Sequence, residues 1–138
     1  MNIDLSGWRQ HKHSGLMGTL GPLLSRQIGD RWQYGLMTRD AHLNAAKLVH
    51  GGAITTLMDQ ALSALAWQHA GHTPCVTLQL NINFIDAARL GDFMVASGRV
   101  VRATRSLLFL DGEICVADGT IATAQGIFKS VRGPASGE

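Results

Sequence analysis

A chain of 138 residues has room for one domain with a real core, and its length and composition give no reason to expect two. Its 12 Lys and Arg against 10 Asp and Glu leave a net charge of +2 with no basic run, which argues against nucleic acid as a partner. Only 16% of the chain is charged while 46% is hydrophobic, so much of its surface is expected to be covered by another subunit.

Residues 1–22 are weakly patterned, with Gly15, Gly18, Gly21 and Pro22 breaking any long element, and read as a short helix or loop lying across the domain. Residues 1–13 hold no apolar segment of signal-peptide type. No apolar run anywhere is long enough to cross a bilayer, so the expectation is a soluble, cytoplasmic protein with no membrane partner. Residues 23–28 and 31–39, separated by Gly29-Asp30, read as a hairpin, and 41–49 as a loop. A helix follows over about 51–70, stopped by Gly71 and Pro74.

Beyond the helix the period changes. Val76, Leu78, Leu80, Ile82 and Phe84 alternate with Thr77, Gln79, Asn81 and Asn83, the pattern of a strand with its first set on a core. Alternation therefore turns Thr77 away from the helix. Further strands are expected over 91–102, 106–117 and 120–132, with Asp118-Gly119 as a hairpin signal and 133–138 as a loose tail. Cys75 and Cys115 form no Cys-x-x-Cys pair and read as small buried hydrophobes in a reducing compartment. His11 with His13, and His69 with His72, lack further ligands at metal spacing, so no metal or other cofactor is expected.

The order is two strands, one long helix, then four strands joined mostly by tight turns. That is an α+β arrangement, an antiparallel sheet curled around one helix, whose open edges call for a second subunit.

The chemistry concentrates in residues 44–59. Between Leu48 and Ile85 the only Asp, Glu, Lys or Arg is Asp59. At about 100° per residue Ala53, Ile54, Leu57, Met58, Ala61, Leu62, Leu65 and Ala66 fall on one apolar stripe, with Asp59 on its flank beside Thr55 and Ser63. Ala64 and Trp67 leave little room for a water-facing side, so the helix is expected to be mostly buried. A carboxylate in so apolar a setting is either a hydrogen-bonded structural residue or a functional one. Ahead of it, Asn44 and His50 precede Gly51 and Gly52, where a ligand can approach backbone N–H groups at the positive end of the helix dipole.

Asn44, His50-Gly51-Gly52 and Asp59, at these spacings and in this strand order, resemble the hotdog-fold acyl-CoA thioesterases of the phenylacetate-degradation (PaaI-like) branch, over about residues 20–132. The resemblance implies that Asp59 activates the attacking water or itself attacks, and that the Gly51 N–H binds the thioester oxygen. It implies that Asn44 and His50 hold the carbonyl and shape the loop, and that Thr77 stands where some relatives have a Ser that positions the water. Lys47 is a departure, since relatives commonly carry Gly in that loop. The implied assembly is a homodimer with shared sites, pairing further into a dimer of dimers, a homotetramer.

One base and one oxyanion site suffice for thioester hydrolysis, because a thiol with a pKa of about 8.5 leaves without a dedicated general acid. The expected substrate is a small or medium acyl- or aryl-CoA. Gly52, Leu57 and Met58 are candidates to line its acyl pocket, and Arg102 and Arg105 are candidates for the CoA phosphates, ahead of Lys129 and Arg132. The rival readings are a non-catalytic acyl-CoA binding module, a hotdog dehydratase or hydratase, and a purely structural domain. The last leaves Asp59 and the two glycines unexplained.

Overall fold

The long helix, α2 (Gly51–His69), begins and ends where its sequence supplies the caps. At its start His50 is extended, with φ −63° and ψ 137°, and its ring nitrogen accepts the Gly52 N–H, satisfying one of the free donors of the first turn. At its end Gly71 takes a φ of +68° that suits glycine, while His72 N–H returns to the Trp67 carbonyl at 2.8 Å. The coordinates are a computed structural model, in which residues 3–131 are described.

Around α2 runs one antiparallel sheet. Its strands are β1 (Arg9–His11), β2 (Leu23–Ile28), β3 (Arg31–Met37), β4 (Cys75–Phe84), β5 (Phe93–Ala103), β6 (Leu107–Val116) and β7 (Gly119–Ser130), in the order β1-β2-β3-β5-β6-β7-β4. A short helix, α1 (Gly15–Leu20), and a 3-10 turn at Asp40–His42 complete the chain. The wrapped helix and the hairpins agree with the sequence reading, except that the last turn is Ala117-Asp118, one residue earlier than expected, with Val116 opposite Gly119. The two-residue connection at Gly29-Asp30 closes β2 on β3, with Ile28 opposite Arg31. Short β1 was not legible, because Arg9, Gln10 and His11 carry no alternation and are held only by pairing with β2.

The core forms where the apolar stripe of α2 meets the inner face of the sheet. Leu57, Met58, Ala61, Leu62 and Ala66 are fully buried against Leu36, Met94, Leu108, Leu110, Ile114 and Phe128. Helix and sheet come this close because the sheet carries glycines under the contact. A Cβ on Gly112 would lie 2.8 Å from the Met58 sulfur and 2.9 Å from a Leu62 methyl, and one on Gly98, opposite it in β5, would lie 2.7 Å from the same Leu62 methyl.

The helix is not enclosed on every side, as Trp67 is 41% exposed. Gln60, Ser63 and Asp59 are half-exposed on the same open flank, so the expectation of a mostly buried helix is corrected there. Cys75 and Cys115 are free and half-buried rather than fully buried. Among the described residues, no helix is long and apolar enough to cross a membrane.

The glycine seat makes a quantitative prediction. In Gly112→Ala the nearest atoms to the new methyl are the side-chain ends of Met58 and Leu62, whereas in Gly98→Ala the nearest is the Asp111 carbonyl at 2.5 Å, which is backbone and cannot yield. Overpacking costs about 1–3 kcal/mol, so Gly112→Ala is expected near the bottom of that range and Gly98→Ala near the top in urea unfolding. Equal costs, or the reverse order, would contradict this packing.

Candidate active site

The segment entering α2 is a closed loop whose internal bonds centre on Asn44, through both its side chain and its backbone. Asn44 Oδ1 accepts the N–H groups of Ala46 (2.9 Å) and Leu48 (3.1 Å), and the Asn44 N–H donates to the Leu48 carbonyl (2.8 Å). A bridge between Leu43 and Val49 closes the base. Lys47 N–H donates to the Asn44 carbonyl at 3.0 Å, and Lys47 has a φ of +65°. That left-handed conformation is the one glycine adopts without cost, so Lys47 holds it with some strain.

His50 and the two glycines form one capping unit. Its Nδ1 accepts the Gly52 N–H at 2.7 Å, so in the neutral ring the hydrogen sits on Nε2, and the side chain is exposed. Gly52 is required by this contact, since a Cβ there would lie 2.9 Å from His50 Nδ1. Gly51 lies beside the Phe84 ring, 3.4 Å from where its Cβ would be. Gly51 N–H, a donor of the first turn, has no partner among the described residues. It is a free donor at the positive end of a long helix, which suits an oxygen that gains negative charge.

Asp59 and Thr77 meet on the open flank of α2. Thr77 Oγ1 donates to Asp59 Oδ1 at 2.6 Å. Simple alternation had placed Thr77 on the far face. The register of β4 on β7 shifts between Thr77 and Gln79, so Leu78 is an extra residue that reverses the parity of the strand. Before the bulge Thr77 faces the helix and Val76 faces out; after it Leu80 and Ile82 pack on the core while Gln79 is exposed. Val76, Leu78 and Phe84, read as core-facing, are 47%, 54% and 56% exposed.

Within one chain the two halves do not converge. Eight residues of helix at about 1.5 Å each separate Gly51 from Asp59 by about 12 Å along the axis. A carbonyl must lie about 3 Å from both the oxyanion donor and the attacking group, so the donor and the carboxylate of one chain cannot serve the same bond.

Beside Asp59 opens a cleft of about 840 Å³ between α2, β1–β3 and the start of β4. Gln60 and Ser63 line its Asp59 end, and Trp32, Tyr34, Trp67 and Gln68 are among the residues lining the rest, together with Arg9, His13 and His72. Gln68 Nε2 donates to the Tyr34 hydroxyl at 3.3 Å, and burial pushes the Tyr34 pKa up to about 12, so that hydroxyl stays neutral. His11 Nε2 and Ser25 Oγ form a 2.5 Å pair on the same wall. None of these was picked out as a site residue from sequence; the exposed Trp67 on an otherwise apolar helix was the one available signal. Leu57 and Met58 are completely buried under the sheet and do not line this cleft. Gly52 is exposed on the capping loop. Arg102 and Arg105 are exposed around the β5–β6 turn, where Arg105 borders a hollow with His69 and Ala70 at the other end of α2. Lys129 is exposed on β7, and Arg132 lies outside the described residues, as does the tail 133–138.

Comparison with known proteins identifies the family. The profile of the thioesterase superfamily matches residues 46–123, from the loop through α2 to β7. The Pseudomonas aeruginosa protein PA0474, which bears an esterase name, is 30% identical over 130 residues, 93% of this chain and 97% of its own. A solved Bacillus halodurans protein holding CoA is 25% identical, with a TM-score of 0.73 over 80% of this chain and 74% of its own. A phenylacetic acid degradation-related protein of Ralstonia eutropha is 25% identical, with a TM-score of 0.72 over 83% of this chain and 88% of its own. The chain thus belongs to the thioesterase superfamily, as a hotdog-fold thioester hydrolase similar to the PaaI-like branch.

Proposed function

We propose that this protein hydrolyses the thioester of a small or medium acyl- or aryl-CoA, at sites each built from two chains of a homodimer. The observation that carries the reading is the separation within one chain of a free oxyanion donor, Gly51 N–H, from the Asp59–Thr77 pair. Two-fold pairing that sets the α2 start of one chain against the α2 flank of the other brings the halves together and gives two sites per dimer. Strand β4 is an edge of the sheet and offers an unpaired row of backbone groups for that pairing. The polar outer row of Gln79, Asn81 and Asn83 is the face on which two dimers would pack into a tetramer.

In this reading the carbonyl oxygen lies on Gly51 N–H, with the His50 Nε2–H and the Asn44 amide close by. Asn44 acts mainly through the loop, since its oxygen already binds two backbone N–H groups. Asp59 of the partner either takes a proton from water, which adds to the carbonyl carbon, or attacks directly to give an anhydride that water then cleaves. In both routes the C–S bond breaks, the thiolate leaves and is protonated, and a carboxylate remains. Thr77 holds one Asp59 oxygen and aims the other. The acyl group occupies the cleft beside Gln60 and Ser63, and Arg102 and Arg105 take the CoA phosphates.

Thiol release from a panel of acyl-CoA thioesters tests the activity. Asp59→Asn is expected to keep the fold and lower turnover at least about a hundredfold, the scale of losing a base or nucleophile. Thr77→Ala is expected to lose far less, because it removes one bond to the carboxylate and leaves the carboxylate itself. A well-folded Asp59→Asn protein with near-normal turnover would end this mechanism.

Shared sites make a second prediction. Chains carrying Asp59→Ala and chains carrying a disrupted His50-Gly51 loop are each inactive alone, yet a mixed dimer has one site with both defects and one with none. Random pairing should restore about a quarter of wild-type activity. Mixed dimers verified by mass spectrometry but lacking any activity would place the whole site within one chain.

A further inference from the structure

Outside the groups assigned above, the most completely engaged polar side chain belongs to His42, which is 1% exposed at the end of the 3-10 turn that leads into the Asn44 loop. Its Nδ1 accepts the Arg39 N–H at 3.1 Å, and its Nε2 lies 2.6 Å from the Leu20 carbonyl. An N–H faces one nitrogen and a carbonyl the other, so the ring is the neutral tautomer with its hydrogen on Nε2. The third polar group is the His42 carbonyl, which accepts the His50 N–H at 2.7 Å. His50 is the residue that caps α2 and precedes the free Gly51 N–H.

The same junction gathers the end of α1. The Arg39 guanidinium donates to the carbonyls of Thr19 and, at 3.3 Å, Gly21, so three successive carbonyls at the α1 C-terminus are held by Arg39 and His42. From there the bonds run through His42 to His50 on one side. On the other, Val49 N–H reaches the Ala88 carbonyl at 2.8 Å. The loop that presents Gly51 N–H is thus fixed at its base by the backbone carbonyl of His42, whose ring is tied to Arg39 and the end of α1, and by one neighbouring strand connection.

We propose that His42 is a positioning residue for the thioesterase reaction, aiming the Gly51 N–H at the carbonyl by clamping the loop to the end of α1. The inference rests on the oxyanion role given to Gly51. It differs from mere core filling because the ring works through a donor and an acceptor at opposite edges, and the two can be removed separately. In His42→Asn the amide oxygen stands near the place of Nδ1 and keeps the Arg39 bond while giving up Leu20. In His42→Gln the amide nitrogen stands near the place of Nε2 and keeps the Leu20 bond while giving up Arg39.

The test combines steady-state kinetics with amide hydrogen exchange on the full chain. Each variant is expected to lower kcat about tenfold or more with KM within about twofold, since a misdirected oxyanion donor weakens the transition state more than the ground state. Exchange at the Leu48 and His50 amides should quicken in both, while the amides of residues 57–62 keep their protection. Folded variants with wild-type kcat would overturn the proposal. So would exchange that rises equally along α2, which would make His42 a packing residue only. If the wild type releases no thiol from any acyl-CoA, the thioesterase reading itself fails, and the exchange pattern alone then decides whether the clamp exists.

Discussion

The close seat of α2 on the glycines of the sheet is the constraint from which the rest of the structure follows. Gly98 and Gly112 leave the space that Leu62 and Met58 fill, and a side chain there would displace those two core side chains or, at Gly98, meet the Asp111 carbonyl. With the helix held at that depth, its apolar stripe is used up by the sheet and its remaining flank is left open. Asp59 stands on that flank because it is the one charged residue of the helix and cannot be placed under the sheet without a partner. The position of β4 is set by the same packing through Leu80 and Ile82, and it brings Thr77 to within 2.6 Å of the carboxylate.

The other half of the proposed site depends on how the helix begins. A capping residue that was Ser or Asp would also satisfy the first turn, but His50 does so with a ring that leaves Nε2 facing outward, and it needs Gly52 to sit where it does. The cap takes the Gly52 N–H and leaves that of Gly51 free. The loop before it is held by Asn44 from inside and by His42 and Ala88 from outside, so the donor is preorganised before any substrate arrives. Preorganised donor and carboxylate nevertheless stand about two helical turns apart in one chain, and this distance, not surface composition, is the strongest argument for a second subunit.

Much of this was legible in the residues. The long helix announced itself by its apolar spacing and by Gly71 and Pro74, and the hairpins by Gly29-Asp30 and Asp118-Gly119. Asp59 stood out because it was alone, and the family resemblance rested on its distance from His50-Gly51-Gly52. What alternation could not supply was the facing of Thr77, since one extra residue at Leu78 reverses every side chain before it, and a bulge leaves no mark in composition. The cleft beside Asp59 was missed for a different reason. Trp32 and Tyr34 come from β3, Trp67 and Gln68 from α2, and they meet only after the sheet curls, so no local pattern joins them. His42 was passed over in the same way, because its partners at Leu20 and Arg39 are assembled by α1 and the 3-10 turn.

The most direct measurement is a crystal structure with a non-hydrolysable thioester analogue of an acyl-CoA. The account expects a two-fold dimer in which the carbonyl oxygen lies about 3 Å from the Gly51 N of one chain, while the nearest carboxylate to its carbon is Asp59 of the other. The acyl group should lie against Gln60 and Ser63. A bound analogue whose carbonyl is reached by Gly51 and Asp59 of the same chain, or one held away from both, would contradict it.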